Sequence, residues 1–493
     1  MTDNSNYKST LKATSLFGGV QVYTVFLSLV STKFIAVLLG PEGMGISGLL
    51  SSTLGILSTV TALGLGTSAV RDVSAAYSSG DTALFNRKVC VFRRLVWITG
   101  SLGMLTCLLF SPLWSNITFG NNSFVLSFAI LSITLLLGQI SSGQSVVMRG
   151  AGRFKDMAKS MVWGKSIGLL VSIPLYYMLG IDGIVPVMVL MSIIGLSLSY
   201  YFSKRVKTEK VVLSFHEVFS EGKQMIKMGF FIALQSFISM LTIYLIRIYI
   251  AHVGGMGEVG LYNSGFNMVD MSVGMVFAAM GAEYYPRLSS VASDDMKFSE
   301  AVNQQITVSL LLISPIVALF LVMGPLAILL VLSSKFLPIT MMIQILVLSM
   351  FLKAPGWCLG FTFLAKADTK AFWMNELFAS LVQLFSFILM YKFFGLNGIA
   401  IAYFFLYVYY VIVTGIISSR RYNYRFDTSI LKTYLLQFII CVGIFASIRY
   451  LFGWWGYIMA SLFCMISIYI SYKELNKIIP VKEYIFKRIK CKH

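Results

Sequence analysis

The chain has 493 residues, of which 57% are hydrophobic and 12% charged, with a mean hydropathy of +0.81. Soluble globular proteins run near half apolar and a quarter charged, so a soluble enzyme, a disordered protein and a nucleic-acid-binding domain are excluded as fits. In so apolar a chain the net charge of +19 reads as loops held against an anionic cytoplasmic leaflet.

A helix needs about 20 mostly apolar residues to cross the hydrocarbon core. The chain offers about fourteen such stretches. The first six are 15–39, 43–68, 95–115, 123–144, 160–179 and 184–203. The next six are 228–252, 259–283, 305–332, 338–363, 372–392 and 397–418, and a last pair covers 433–452 and 454–472. The first span has no small-residue cleavage site and is longer than a signal peptide's apolar region, which predicts that it is retained.

Charge sets the orientation. Basic residues follow every even-numbered span: Arg71 to Arg94, Arg149 to Lys159, Lys204 to Lys227, Arg287 and Lys297, Lys366 and Lys370, then Arg420 to Lys432. With Lys8, Lys12 and seven basic residues in the tail they make about 32 of the 39 Lys and Arg, whereas the odd gaps hold only Lys335, Lys392 and Arg449. That asymmetry predicts an even number of spans with both termini cytoplasmic. The longest outer loop lies near Ser111–Ser123 and carries two Asn-x-Ser/Thr tripeptides, at Asn116 and Asn121, a pattern common by chance. Cys90 and Cys491 fall on the cytoplasmic side and Cys107, Cys358, Cys441 and Cys464 within spans, so no outer-face disulfide is expected.

The sequence also repeats. Lys33, Gly40 and Gly43 match Arg247, Gly254 and Gly257 at an offset of 214. Arg71 matches Arg287 at 216, and Gly180-Ile-Asp-Gly-Ile matches Gly395-Leu-Asn-Gly-Ile at 215. Six spans per repeat predict two parallel halves, an architecture of transporters. The expected organisation is an N-terminal segment 1–14, a bundle 15–203, a cytoplasmic linker 204–227, a second bundle 228–418, an appended pair 433–472 and a basic tail 473–493.

An ionisable residue at the helix centre costs about 2.5–3.5 kcal/mol by insertion scales and marks a cavity or a partner. Lys33 and Arg247 occupy the corresponding helix of each half, roughly 10 Å of helix rise from the outer end. Lys353 lies deep in span ten, two residues before Pro355, and Lys165 lies in the inner half of span five. The acids are Asp270, Glu283 and Glu376, candidates for coupling to an ion. Bland readings stand beside these: Lys33 and Lys165 can snorkel, Arg247 can pair with Asp270, and Lys353 with Glu376. The excess of bases suits an anion such as a phosphate or pyrophosphate.

His216, His252 and His493 are scattered and form no metal site, and no phosphate-binding Gly-x-x-x-x-Gly-Lys-Ser/Thr loop is present, so neither metal nor cofactor is expected. The aromatic run Tyr403–Tyr410 reads as lipid-facing or interfacial. Phe215–Lys227 has the spacing of an amphipathic surface helix, and Lys473–His493 that of a basic segment lying on the inner leaflet.

The stretch STKFIAVLLGPEGMGISGLLSSTLGILSTVTALGLGTSAVRDVSAAYSSGD resembles the start of bacterial Wzx-type polysaccharide flippases, closest to the O-antigen translocase and lipid III flippase branch. These belong with the MATE drug exporters and the lipid II flippase MurJ in the MOP superfamily. GIDGIV, GLNGIA, RGAGRFKDMAK and LAKADTKAF are similar to that family's loops, over residues 10–420 in all. The resemblance implies an all-α protein of the bacterial inner membrane, with two six-helix bundles forming a V around a cationic cavity. It implies an undecaprenyl-diphosphate-linked oligosaccharide as cargo, moved to the outer leaflet by alternating access for O-antigen or related lipopolysaccharide biosynthesis. It makes membrane lipids, and the polymerase and chain-length regulators of the same glycan, candidate partners. Lys33 and Arg247 would lie on helices that line the cavity, and the last two helices depart from twelve-span members. Rival readings are a MATE-like small-molecule antiporter, disfavoured by the basic residues, a membrane polymerase or ligase, disfavoured by the short outer loops, and an envelope scaffold, which would not need charges at membrane depth.

Overall fold

The computed structural model describes residues 3–209, 211–451 and 453–478, with side chains from residue 19 on except 231, 232, 282 and 478. The basic tail beyond 478 therefore lies outside the described residues. Those that are described form helices and no strand. In order they are α1 (Asp3–Leu38), α2 (Gly40–Ala62), α3 (Leu65–Ser78), α4 (Thr82–Leu109), α5 (Ser111–Phe119), α6 (Val125–Gly150), α7 (Phe154–Leu179) and α8 (Ile184–Ser203). Then come α9 (Phe215–Gly254), α10 (Met256–Val269), α11 (Met275–Ser290), α12 (Asp295–Val331), α13 (Thr340–Ala365), α14 (Thr369–Tyr422), α15 (Ser429–Tyr450) and α16 (Trp454–Ile478).

Among the described residues, twelve helical stretches are long and apolar enough to cross a membrane. Two of them, Phe154–Ser203 and Thr369–Tyr422, each hold two of the predicted spans, because a glycine breaks each one. Gly180 has φ 57° and ψ −131°, and Gly395 has φ 56° and ψ −142°. This backbone region is essentially restricted to glycine. Three residues on, a β-carbon at Gly183 would lie 3.0 Å from the Leu175 carbonyl oxygen, and one at Gly398 2.0 Å from that of Met390. The same hairpin is thus built twice, 215 residues apart.

The turn after α6 repeats as well. Arg153 N–H donates to Met148 O at 2.8 Å and Asp368 N–H to Phe363 O at 2.9 Å, each around a residue of positive φ, Gly152 or Ala367. Beyond it, Arg205 at the end of α8 donates to Asp156 at 2.8 Å, and Arg421 at the end of α14 pairs with Asp368. At the 215 register Arg205 corresponds to Arg420, one residue before Arg421, and Asp156 to Ala371, three residues after Asp368, so both partners have shifted while the pairing is kept. Positive φ falls at Gly40 and Gly255, so the register there is 215 and the match to Gly254 suggested by the sequence is one residue out. A β-carbon at Gly45 would lie 1.9 Å from Met256 O, and one at Gly260 1.8 Å from Pro41 O, a reciprocal contact of two equivalent turns. A π-helical turn, Asp270–Gly274, follows. Such a turn holds one residue more than an α turn, and across it the offset rises from 215 at Gly45/Gly260 to 216 at Arg71/Arg287.

By contacts the chain divides into two compact units, Met1–Gly260 and Leu261–His493. The division falls in α10 and not in the predicted linker 204–227, because that segment is built into the first unit. Leu213, Val218 and Met225 are buried with Val89, Phe92 and Leu95 of α4. Glu221 takes Arg87 at 2.6 Å and Lys88 at 3.7 Å, and Arg94 donates to the Leu213 carbonyl. Ser214 and Glu217 form a reciprocal capping box that starts α9. Phe215–Lys227 is therefore the docked beginning of a 40-residue helix rather than a separate helix on the membrane surface. The predicted outer loop holds a short helix, α5, whose Thr118 joins Thr53 of α2 and Tyr244 of α9 in a buried hydroxyl cluster. In the second unit the core centres on Tyr284, Phe298, Cys358 and Phe363, and α15 and α16 pack on α12. A buried Gln437–Ser467–Ser471 network joins α15 to α16.

Candidate functional site

In the first unit, Lys33 sits half-buried on α1, and the half-buried Arg247 guanidinium of α9 donates to Ser52 Oγ on α2. At the 215 register Arg247 corresponds to Thr32, so the two cations occupy neighbouring rather than identical positions of the repeat. Lys165 donates to Ser28 Oγ at 3.1 Å and to Thr24 O at 3.4 Å. With Tyr23–Ser166 at 3.1 Å, these bonds tie α7 to α1. Lys165 thus acts as a cross-tie between helices.

The second unit builds a fuller constellation. Lys353 of α13 is 19% exposed and pairs with Asp270 at 3.5 Å. It also donates to Tyr403 Oη at 3.4 Å, and Tyr403 lies 3.4 Å from Tyr407 Oη. Its ammonium stands 5.7 Å from the Phe277 ring centre and 5.9 Å from that of Tyr407. A cation held between ring faces and one carboxylate is well stabilised away from water. Asp270 opens the π turn, a distortion frequent at functional sites. The sequence suggests Arg247 for Asp270 and Glu376 for Lys353; in the structure Asp270 and Lys353 take each other.

Glu376 instead accepts a 2.7 Å hydrogen bond from Tyr410. Beside it Asn375 is 3% exposed, and neither polar atom of its side chain meets hydrogen-bond geometry. Glu283 is an exposed residue paired with Arg287 at 3.0 Å. The three acids thus stand at three separate places, and among the described residues no three His, Cys, Asp or Glu are grouped for a metal. The run Tyr403–Tyr410 is not simply lipid-facing: Tyr403, Tyr407 and Tyr410 turn inward onto Lys353 and Glu376. Their spacing of four and three residues is that of one helix face, the signal that would have found them.

A family of polysaccharide biosynthesis proteins matches residues 34–341. No curated protein sequence matches the chain. Among solved structures, the lipid II flippase MurJ in an inward closed conformation aligns with TM-score 0.74 at 12% identity, over 94% of this chain and 99% of its own. A multidrug-resistance MATE transporter of the MOP superfamily, inward-facing, aligns with TM-score 0.69 at 16% identity, over 83% of this chain and 96% of its own. A MOP-superfamily transporter from Pyrococcus furiosus, described as having a binding pocket of reversed polarity, aligns at 0.54 and 16% identity, over 83% and 93%. At these identities the likeness is one of fold. A match over 94% of the chain must reach into the last helix pair, whereas one over 83% can omit it. The fold is the one shared with the solved MATE and MurJ structures, and the chain belongs to the polysaccharide biosynthesis protein family.

Proposed function

We propose that the protein is a flippase for an undecaprenyl-diphosphate-linked oligosaccharide, an O-antigen or related repeat unit, carried from the cytoplasmic to the outer leaflet of the bacterial inner membrane. The carrying observation is Lys353. A buried ammonium at membrane depth, neutralised by a carboxylate that is itself 60% exposed, is a cation whose partner can be exchanged. A diphosphate would take the place of Asp270 at Lys353 in the second unit; Lys33 and Arg247 are separate candidate cations of the first unit, and Lys165 belongs to the α1–α7 tie. The polyprenyl chain would remain in the bilayer, where its burial is favourable. Asp270, once displaced, is free to take a proton or a monovalent cation, and Glu376 beside Asn375 is a second candidate for the driving ion. Alternating access would then couple cargo and ion through competition for one ammonium.

The test is the leaflet on which lipid-linked oligosaccharides accumulate in a deletion strain. Cytoplasmic accumulation, reversed by the wild-type gene but not by a Lys33→Gln, Arg247→Gln, Lys353→Gln triple variant that inserts normally, supports the proposal. Normal transport by the triple variant refutes the cationic site. The aromatic cage with an exposed Asp270 favours one second reading, a MATE-like antiporter of organic cations. It requires normal glycan delivery and new sensitivity to cationic dyes in the deletion strain.

A further inference from the structure

The second unit carries a large cleft that the Lys353 constellation does not use. It has a volume of about 1840 Å³ and lies between α11, the start of α12 and the α14–α15 connection, at the end where the sequence places the cytoplasm. Helix α12 has 37 residues, so it is about 55 Å long against a hydrocarbon core of about 30 Å. Its first turns, which wall the cleft, therefore extend into the headgroup region or beyond.

The lining is unusual for this chain. Glu283, Asp295, Glu300 and Asp427 face Arg287, Lys297 and Arg425, four acids against three bases, in a protein of net charge +19. A smaller cleft in the first unit, about 610 Å³, has Arg93, Lys204 and Lys207 against Glu209. The large cleft is therefore poorly suited to a polyanion.

It is instead rich in groups that both donate and accept. One turn of α12 presents Asn303, Gln304 and Gln305, held by a network. Arg287 donates to Gln305 at 2.8 Å and to Gln304 at 3.4 Å, and Gln304 donates to Glu300 at 3.0 Å. Asn303 donates to Arg425 O at 2.8 Å and accepts from Tyr424 at 2.7 Å. Fixed planar amides, carboxylates and a guanidinium match a ligand whose hydroxyls donate and accept all around its rim. Phe426, which is exposed, adds aromatic surface for the apolar faces of such a ligand. The volume exceeds the 300–1,000 Å³ common for small-molecule sites, leaving room for several linked rings.

We infer that this cleft is a docking site for the uncharged oligosaccharide of the lipid-linked cargo, reading the glycan on the cytoplasmic face apart from the diphosphate. The inference rests on the flippase reading above.

The test uses the full chain in lipid nanodiscs. Its probe is the oligosaccharide released by mild acid from the cell's own lipid-linked pool, which lacks both diphosphate and lipid. Saturation-transfer NMR and titration calorimetry should show binding, and the double variant Glu300→Ala, Gln304→Ala, at two exposed rim positions, should weaken it about tenfold or more. Unchanged melting of that variant would exclude a folding defect, and Gln304→Glu provides a second, isosteric variant. The Lys33, Arg247, Lys353 triple Gln variant should still bind this probe. No binding by wild type, or equal binding by wild type and the rim variant, overturns the assignment even where the triple variant fails to transport, so the flippase reading survives separately. A rim variant that loses transport but binds the glycan normally also overturns it, and would place a protein partner in the cleft.

Discussion

Breaking the Lys353–Asp270 pair separates a structural charge from a working one. Two unit charges 3.5 Å apart attract by about 5 kcal/mol at an effective dielectric of ~20. Asp270 is 60% exposed, so screening lowers the coupling to about 1–3 kcal/mol. Lys353→Met leaves a mostly exposed carboxylate without its ammonium, and Asp270→Asn strands an ammonium between the Phe277 and Tyr407 rings. Each single variant should be destabilised, and the double variant should recover most of the loss, because neither charge is then left alone. Thermal melting of the detergent-purified set, read as a double-mutant cycle, gives the coupling. Transport, read as rescue of lipid-linked oligosaccharide delivery in the deletion strain, gives the role. The expected result is a double variant that is stable and abundant in the membrane but inactive. A double variant that transports like wild type refutes the reasoning, because the pair would then serve packing alone. A coupling near zero refutes the ion pair itself.

Gly180→Ala and Gly395→Ala should each cost about 1–3 kcal/mol, since both force a side chain into a glycine-only backbone region; Gly138→Ala, in α6 with open space around it, should be neutral or stabilising in the same melting assay. Gly260→Ala would set a β-carbon 1.8 Å from Pro41 O, so its turn must move away from the Pro41–Gly45 turn, and cysteine crosslinking across that contact should fall sharply. Asp368→Ala removes the cap of α14 and the Arg421 partner, for about 1–2 kcal/mol, seen as faster amide exchange at Thr369–Phe372. The Asp368 carboxyl is held below its usual range, chiefly by the Ala371 backbone N–H and then by Arg421 and Tyr422. Its stabilisation is therefore complete above about pH 4 and lost only as pH falls further, so the protection of these amides, corrected for the base-catalysed rise of intrinsic exchange, should be flat from pH 6 to 8.

Helical class and span placement were legible because hydrophobic runs of membrane length have few alternative meanings. The repeat was legible at its glycines, where backbone geometry leaves no other residue type free. The glycine-only hairpins at Gly180 and Gly395 are why that pair gave the true offset. The register near Gly255 was not legible, because two adjacent glycines look alike and only the positive φ distinguishes them. The docking of residues 211–227 on α4 was not legible for a different reason. Glu217 and Glu221 signal an exposed amphipathic helix, yet their partners Arg87 and Lys88 lie 130 residues or more away in sequence. Charge pairing across such separations leaves no local pattern. The tyrosines around Lys353 and Glu376 were hidden by composition: in a run of eight residues with six aromatics, helical spacing is satisfied in several directions at once.

The repeat also says which features the fold can do without. At the 215 register, Lys353 and Asp270 correspond to Gly138 and Gly55 of the first unit. Both glycines have open space where a side chain would begin. The hairpin, the turn after α6 and the Asp–Arg clamp are built in both halves, so these belong to the frame. A six-helix half therefore forms without an ion pair at this place. Insertion of a lysine there is unfavourable by roughly 2.5–3.5 kcal/mol, and its pairing with Asp270 offsets part of this without being required for the architecture. A feature that the frame does not need, and that is costly in a membrane, is best accounted for by what it binds. That is the physical case for looking for the cargo's charge at Lys353 before Lys165, whose hydrogen bonds to α1 already give it a structural occupation.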